Sequence, residues 1–138
     1  MKFNRKLPKC FFIIRVVFVT IWLQYLLAFK KILQLLAYIE SKQKNIFVEQ
    51  EEIEQMVTIL YRIARWKFFL IRNNCLKKNL LLYYFLVQYG VKNIKINIGI
   101  SKENMKLAGH CWLTIQECVY LEPEESVSKY IVIYSSGV

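Results

Sequence analysis

The chain has 138 residues, of which 56% are hydrophobic and 15% aromatic, and its formal net charge at pH 7 is +10. This length suits one domain with a core of its own, and four glycines with two prolines exclude a loop-rich or low-complexity chain. Because the basic residues are interleaved with aliphatic positions, the charge argues against nucleic acid as a partner.

The N-terminal third is both basic and apolar. Residues 1–44 contain nine lysines and arginines against Glu40 alone, a net charge of +8 that suggests anionic lipid or an acidic partner surface. The uncharged run Val16–Phe29 has fourteen residues, fewer than the roughly 20 that span a bilayer. We therefore predict helices over Cys10–Ile39 that pack on the core or on a partner. Two alternatives for this segment are membrane association and a signal peptide, although no small-residue cleavage site follows it.

The next segments favour one more helix and then a small sheet. Val48–Trp66 places its apolar residues on one helical face, with glutamates at its start and arginines at its end, as the helix dipole prefers. Val91–Ser101 alternates isoleucines with polar residues, which predicts a strand with one buried face. Two further strands are predicted over His110–Glu117 and Val119–Glu122.

The remaining connections complete a single domain. We predict a turn over Lys102–Gly109, a loop over Pro123–Ser128 and a short central or inter-sheet strand over Tyr130–Tyr134. Helices first and antiparallel strands later indicate the α+β class. We divide the domain into a helical N-terminal region, 1–45, and a core, 46–138.

Cys75 stands at the predicted start of a long apolar helix that Gly90 ends. Asn73 and Asn74 before it are good N-cap residues. Unpaired N–H groups and the positive end of the helix dipole favour the thiolate form of a first-turn cysteine. Catalysis also needs a base, and His110 is the single histidine of the chain.

Other interpretations of these residues stay open. Cys75 can be a buried structural thiol and His110 a hydrogen-bonded strand residue. A zinc site from Cys75, His110, Cys111 and Cys118 is disfavoured, because neighbouring strand residues point to opposite faces and no C-x-x-C pair is present. No glycine-rich phosphate loop occurs, so we expect no cofactor. Cys10, Cys111 and Cys118 are interpreted as small apolar residues of a reducing, cytoplasmic compartment, with peripheral membrane contact as a further option.

The segment Asn74–Glu122 resembles the transglutaminase-like leader peptidases of lasso-peptide biosynthesis. The matching features are Cys75 and Leu76 at a helix start, Gly90 and Val91 at its end, the strand Ile96–Ile100, and His110 with Trp112. The resemblance implies a papain-like cysteine protease core. It also implies cleavage of the leader from a ribosomally made precursor peptide before the core peptide is cyclised. A separate leader-binding protein and the lasso cyclase are the implied partners.

The resemblance further implies a third catalytic residue, an aspartate about a dozen positions after the histidine. This chain has no aspartate, and Glu122 stands at that position, with Gln116, Glu117 and Glu124 as competitors. We assign Glu122 as the acceptor of a hydrogen bond from His110 Nδ1–H, which would direct Nε2 toward Cys75. The alternative function is a non-catalytic helical protein that keeps the fold and binds a membrane or a partner.

Overall fold

The computed structural model describes residues 9–64 and 75–137. Four helices come first, and an antiparallel sheet with a one-turn helix follows, which confirms the α+β class. The helices are α1 (Lys9–Phe29), α2 (Ile32–Ser41), α3 (Gln50–Ala64), α4 (Cys75–Gln88) and α5 (Glu124–Val127). The strands are β1 (Ile94–Glu103), β2 (Lys106–Ile115), β3 (Cys118–Tyr120) and β4 (Ile131–Gly137), in the sheet order β3-β2-β1-β4.

Helix α4 is the centre of the molecule. Nine of its fourteen residues are buried, so the helix is covered on nearly every side. The sheet face that packs on it carries Ile94, Ile96, Cys111 and Leu113, all nearly inaccessible to solvent. Helices α1, α2 and α3 cover the rest of α4, because each has an apolar face that needs a partner.

Helices α1 and α2 form as predicted within 10–39, with a break at Lys30 and Lys31. Val16 and Leu23 on the inner face of α1 are buried in the core. By length and composition α1 is also apolar enough to cross a membrane, and only 17% of its most apolar stretch is buried.

The hairpin between β1 and β2 is tighter than the predicted turn over Lys102–Gly109. The strands continue to Glu103 and restart at Lys106, and only Asn104 and Met105 lie between them. Both have positive φ, 48° and 65°, and two such residues make a turn whose twist matches the strands. The same geometry at Gln116 and Glu117, with φ of 51° and 65°, ends β2 before the predicted Glu117.

Two predictions after β3 were wrong. Strand β4 pairs with β1 alone and lies at the sheet edge, so Ile131 and Ile133 are exposed instead of central. An apolar run of this length does not reveal how many neighbours a strand has. The predicted loop over Pro123–Ser128 contains the one-turn helix α5, which forms because Val127 buries itself against the domain.

Candidate active site

Cys75 is the first described residue of α4, and its side chain is half-buried. The predicted caps Asn73 and Asn74 lie outside the described residues. A cysteine at this end of a helix has backbone N–H groups beside it that have no partner within the helix. The position therefore places backbone N–H donors close to the Cys75 side chain.

Asn79, one turn after Cys75, fixes the start of α4 to strand β2. Its Nδ2 donates hydrogen bonds to the carbonyl oxygens of Cys75, at 2.9 Å, and of Cys111, at 2.7 Å. Strand β3 pairs with β2 only from Leu113 onward, which leaves the Cys111 carbonyl for the helix. Since Cys111 follows His110 directly, this buried amide couples the cysteine's turn to the histidine's strand.

His110 and Glu122 are in direct contact. His110 Nε2 lies 2.7 Å from Glu122 Oε2, and each side chain is 23% exposed. The Ser126 hydroxyl lies 3.2 Å from the same oxygen and 2.7 Å from the Pro123 carbonyl, so its single hydrogen serves one of the two at a time. Partial shielding from water strengthens such a pair relative to a fully exposed one.

The ring nitrogen that contacts Glu122 differs from the one that we predicted. The predicted contact was from Nδ1 to the carboxylate, whereas Nε2 makes that contact in the structure. Glu122 approaches from the bend that follows β3, where Leu121 has a φ of 67°, and meets the nitrogen farther from the His110 backbone. Nδ1 is consequently the ring nitrogen of His110 that does not contact Glu122. No hydrogen bond joins Cys75 to His110 in the structure, and such contacts often tighten only once substrate is bound.

The three competitors of Glu122 have other positions. Glu117 forms an ion pair with Lys95 across the sheet, Gln116 lies in the β2–β3 turn, and Glu124 begins α5. Among the acidic and amide residues that we weighed for this role, Glu122 is the one in contact with His110.

Two aromatic rings hold the imidazole of His110. Its ring stacks on Trp112, with centroids 5.8 Å apart and planes at 18°, and on Tyr130, at 5.1 Å and 28°. Trp112 and Tyr130 also touch each other, at 6.2 Å, so the three rings form a triangle. Trp112 is one of the matching features of the resemblance, whereas Tyr130 was predicted only as part of a strand and its contact with His110 was not predicted.

Gly99 makes room for this triangle. It pairs with His110 across β1 and β2, on the face that carries the rings. A Cβ at residue 99 would lie 2.8 Å from Trp112 Cη2 and 2.9 Å from Tyr130 Cβ, closer than real Cβ atoms approach other groups. The alternating pattern of β1 predicted its buried face, but it did not predict that the opposite face needs a glycine.

Cys111 is the buried cysteine of the site and faces the core instead of the rings. Burial raises the pKa of its thiol, and negative charge on Cys75 and Glu122 raises it further. The thiol therefore stays protonated and behaves as the small apolar residue that the sequence predicted. Cys10 and Cys118 are exposed, so neither of them fills a place in the core as Cys111 does.

The side chains considered for a zinc site point in different directions. His110 points toward the aromatic rings while Cys111 points into the core. Across residues 9–64 and 75–137, no group of three or more His, Cys, Asp or Glu side chains is placed to bind one.

The sequence of residues 18–135 matches the family described as the transglutaminase-like superfamily. The chain belongs to the transglutaminase-like superfamily. The match runs from the middle of α1 to β4, so this transglutaminase-like domain includes the helices as well as the sheet. Neither a curated protein nor a solved structure gives a match. The superfamily includes cysteine proteases, a class to which a helix-borne cysteine and a strand-borne histidine are suited.

Proposed function

We propose that this transglutaminase-like domain is a cysteine peptidase with Cys75 as nucleophile, His110 as base and Glu122 as the residue that orients His110. The observation that carries the proposal is the 2.7 Å contact between His110 Nε2 and Glu122 Oε2. Asn79 supports it, because its two hydrogen bonds fix the turn of Cys75 beside the His110 strand.

The proposed chemistry uses each of these three residues in turn. His110 Nδ1 takes the thiol proton, and the Cys75 sulfur attacks the peptide carbonyl carbon. Glu122 stabilises the imidazolium, which then gives its proton to the leaving amine, and a water molecule hydrolyses the resulting thioester. Backbone N–H groups at the start of α4 would donate to the developing oxyanion, and one such donor contributes roughly 10²–10³ in rate.

We further propose that the substrate is a lasso-type precursor peptide, cleaved between leader and core before cyclisation. The support for this substrate is the sequence resemblance at Cys75, Gly90, His110 and Trp112. A leader-binding protein and a lasso cyclase are the partners that such a reaction needs.

Mass spectrometry of a lasso-type precursor peptide, incubated with this protein and a leader-binding protein, tests both the peptidase and the proposed substrate. Cys75→Ala and His110→Ala should each abolish the product. The double variant should lose little more activity than either single variant, because the two residues act as a unit. Cys111→Ser and Cys118→Ser are the matched controls and should retain activity. Turnover by Cys75→Ala would reject the peptidase. Wild-type cleavage of other peptides, but not of the precursor, would reject only the lasso substrate.

A further inference from the structure

The outward face of α1 is apolar along its whole length. Six large side chains on it are 50–73% exposed, although a helix that packs on a core normally turns polar residues to water. They recur at steps of three and four residues, opposite the buried Val16, Val19 and Leu23. We call this surface the α1 face; its residues are Phe11, Ile14, Phe18, Ile21, Tyr25 and Phe29.

Exposed cations stand at both ends of the α1 face. Lys9 begins the helix, Lys30 and Lys31 follow its end, and Arg15 borders the face. Residues 1–39 contain no acidic residue at all. With 21 residues, α1 is about 30 Å long, so an apolar strip of that length carries positive charge at each end.

We propose that the α1 face docks on an anionic lipid surface, with the helix lying in the plane of the interface. Phenylalanine, isoleucine and tyrosine side chains enter the boundary between headgroups and acyl chains. The lysines at the helix ends reach the lipid phosphates, where each contributes attraction to negative charge. The proposal is independent of whether the domain cleaves peptides.

A groove beside the α1 face extends the same surface toward α2. Its volume is about 470 Å³, and its lining includes the aromatic residues Phe18, Trp22, Tyr38 and Tyr84. Lys42 also lines it, with its ammonium 5.5 Å from the Tyr38 ring centre. Apolar walls with a cation at the rim match a lipid better than they match a polar peptide.

Two other arrangements fit the structure less well. A bilayer-spanning α1 would have to leave the core, because Val16 and Leu23 are buried there and Phe12 packs edge-to-face on Phe85 of α4, with ring centroids 5.5 Å apart. It would also carry Arg15 into the hydrocarbon.

A second copy of the chain would place two N-terminal thirds of net charge +8 side by side, and their repulsion opposes such a dimer.

Co-sedimentation of the full chain with vesicles tests the proposal. We expect binding to phosphatidylcholine vesicles that contain phosphatidylglycerol, weak binding to pure phosphatidylcholine, and release by high salt or carbonate. Phe18→Ser/Phe29→Ser should bind at least about tenfold more weakly. Phe47→Ser removes a phenylalanine that is 95% exposed elsewhere and should change nothing. Lys30→Glu/Lys31→Glu should weaken binding more than Lys102→Glu/Lys106→Glu, which changes the net charge equally on the distant β1–β2 hairpin.

Four results would overturn the proposal. They are absence of vesicle binding, full binding by Phe18→Ser/Phe29→Ser, and resistance to carbonate, which indicates insertion across the bilayer. The fourth is a concentration-dependent dimer that Phe18→Ser/Phe29→Ser abolishes, because a second copy would then cover the α1 face.

Discussion

Glu122 carries its carboxylate on a side chain one methylene longer than the aspartate of the family that the chain resembles. In this structure that length brings Oε2 to 2.7 Å from His110 Nε2. We expect Glu122→Gln to keep an acceptor oxygen but to lose the charge that stabilises the imidazolium, so cleavage should fall by about 10²–10⁴. The free energy of unfolding should change by less than about 1 kcal/mol, because the pair is partly solvated.

Glu122→Asp is the more informative substitution. The shorter side chain draws the carboxylate away from Nε2, so we expect activity between that of Glu122→Gln and the wild type. Both variants are compared in the precursor-cleavage assay, with thermal unfolding as the check on the fold. Wild-type rates in Glu122→Gln would show that a different group orients His110.

Gly99 allows a direct test of the aromatic triangle. In Gly99→Ala the new methyl must displace the Trp112 ring or Tyr130, so we expect a loss of about 1–3 kcal/mol in the free energy of unfolding. Cleavage should also fall, because His110 loses its fixed orientation. Gly109→Ala is the matched control, since its Cβ would meet only the Gly99 carbonyl oxygen at 4.0 Å. Equal stability and activity in the two variants would contradict the role of Gly99.

At the scale of elements, Asn79 joins α4 to β2 by a buried hydrogen bond. Asn79→Ala leaves the buried Cys111 carbonyl without its donor, which should cost about 1–3 kcal/mol in the free energy of unfolding. We expect kcat for precursor cleavage to fall further than this instability explains, because Cys75 and His110 lose their fixed spacing. Gln55→Ala, which removes an exposed amide of α3, is the control. Full activity in folded Asn79→Ala would show that other contacts set the spacing.

The elements divide clearly into those that the sequence could predict and those that it could not. Helix α3 and strand β1 have one buried face each, so periodicity revealed them. Strand β4 was misplaced because its isoleucines look the same in a central strand and at an edge. The two-residue turn at Asn104 and Met105 was not predicted, because residues other than glycine rarely adopt the positive φ that Met105 has. Contacts between residues far apart in the chain could not be predicted from local sequence patterns. Examples are the stacking of Tyr130 on His110 and the contact of Glu122 with Nε2 of His110 instead of Nδ1.

At the scale of the molecule, a partly buried polar cluster joins three elements far apart in the chain. Tyr83 of α4 donates to Glu40 Oε1 of α2 at 3.0 Å, and the Ser136 hydroxyl of β4 donates to the same oxygen. Burial raises the pKa of the Tyr83 hydroxyl, and the charge of Glu40 raises it further. The folded state therefore keeps a proton that the unfolded chain loses near pH 10.

This difference predicts how stability depends on pH. The contribution of Tyr83 is fully present below about pH 10 and is lost as pH rises above that value, since only the unfolded state gains from ionisation. Tyr83→Phe should be less stable at neutral pH but should lose less stability between neutral and strongly alkaline pH. Denaturant unfolding measures both effects, with the exposed Tyr25→Phe as the control. Identical pH slopes in wild type and Tyr83→Phe would contradict the argument.

The rate at which iodoacetamide alkylates Cys75 tests most directly whether His110 activates this thiol, and it needs no knowledge of the substrate. Cys10→Ser/Cys118→Ser is the background for this measurement, because both of those thiols are exposed and would react as well. Cys111 should stay unmodified, since burial keeps it protonated. Near neutral pH we expect rapid alkylation of Cys75, and a rate at least about tenfold lower after His110→Ala. An unchanged Cys75 rate in His110→Ala would contradict the assignment of the pair as nucleophile and base.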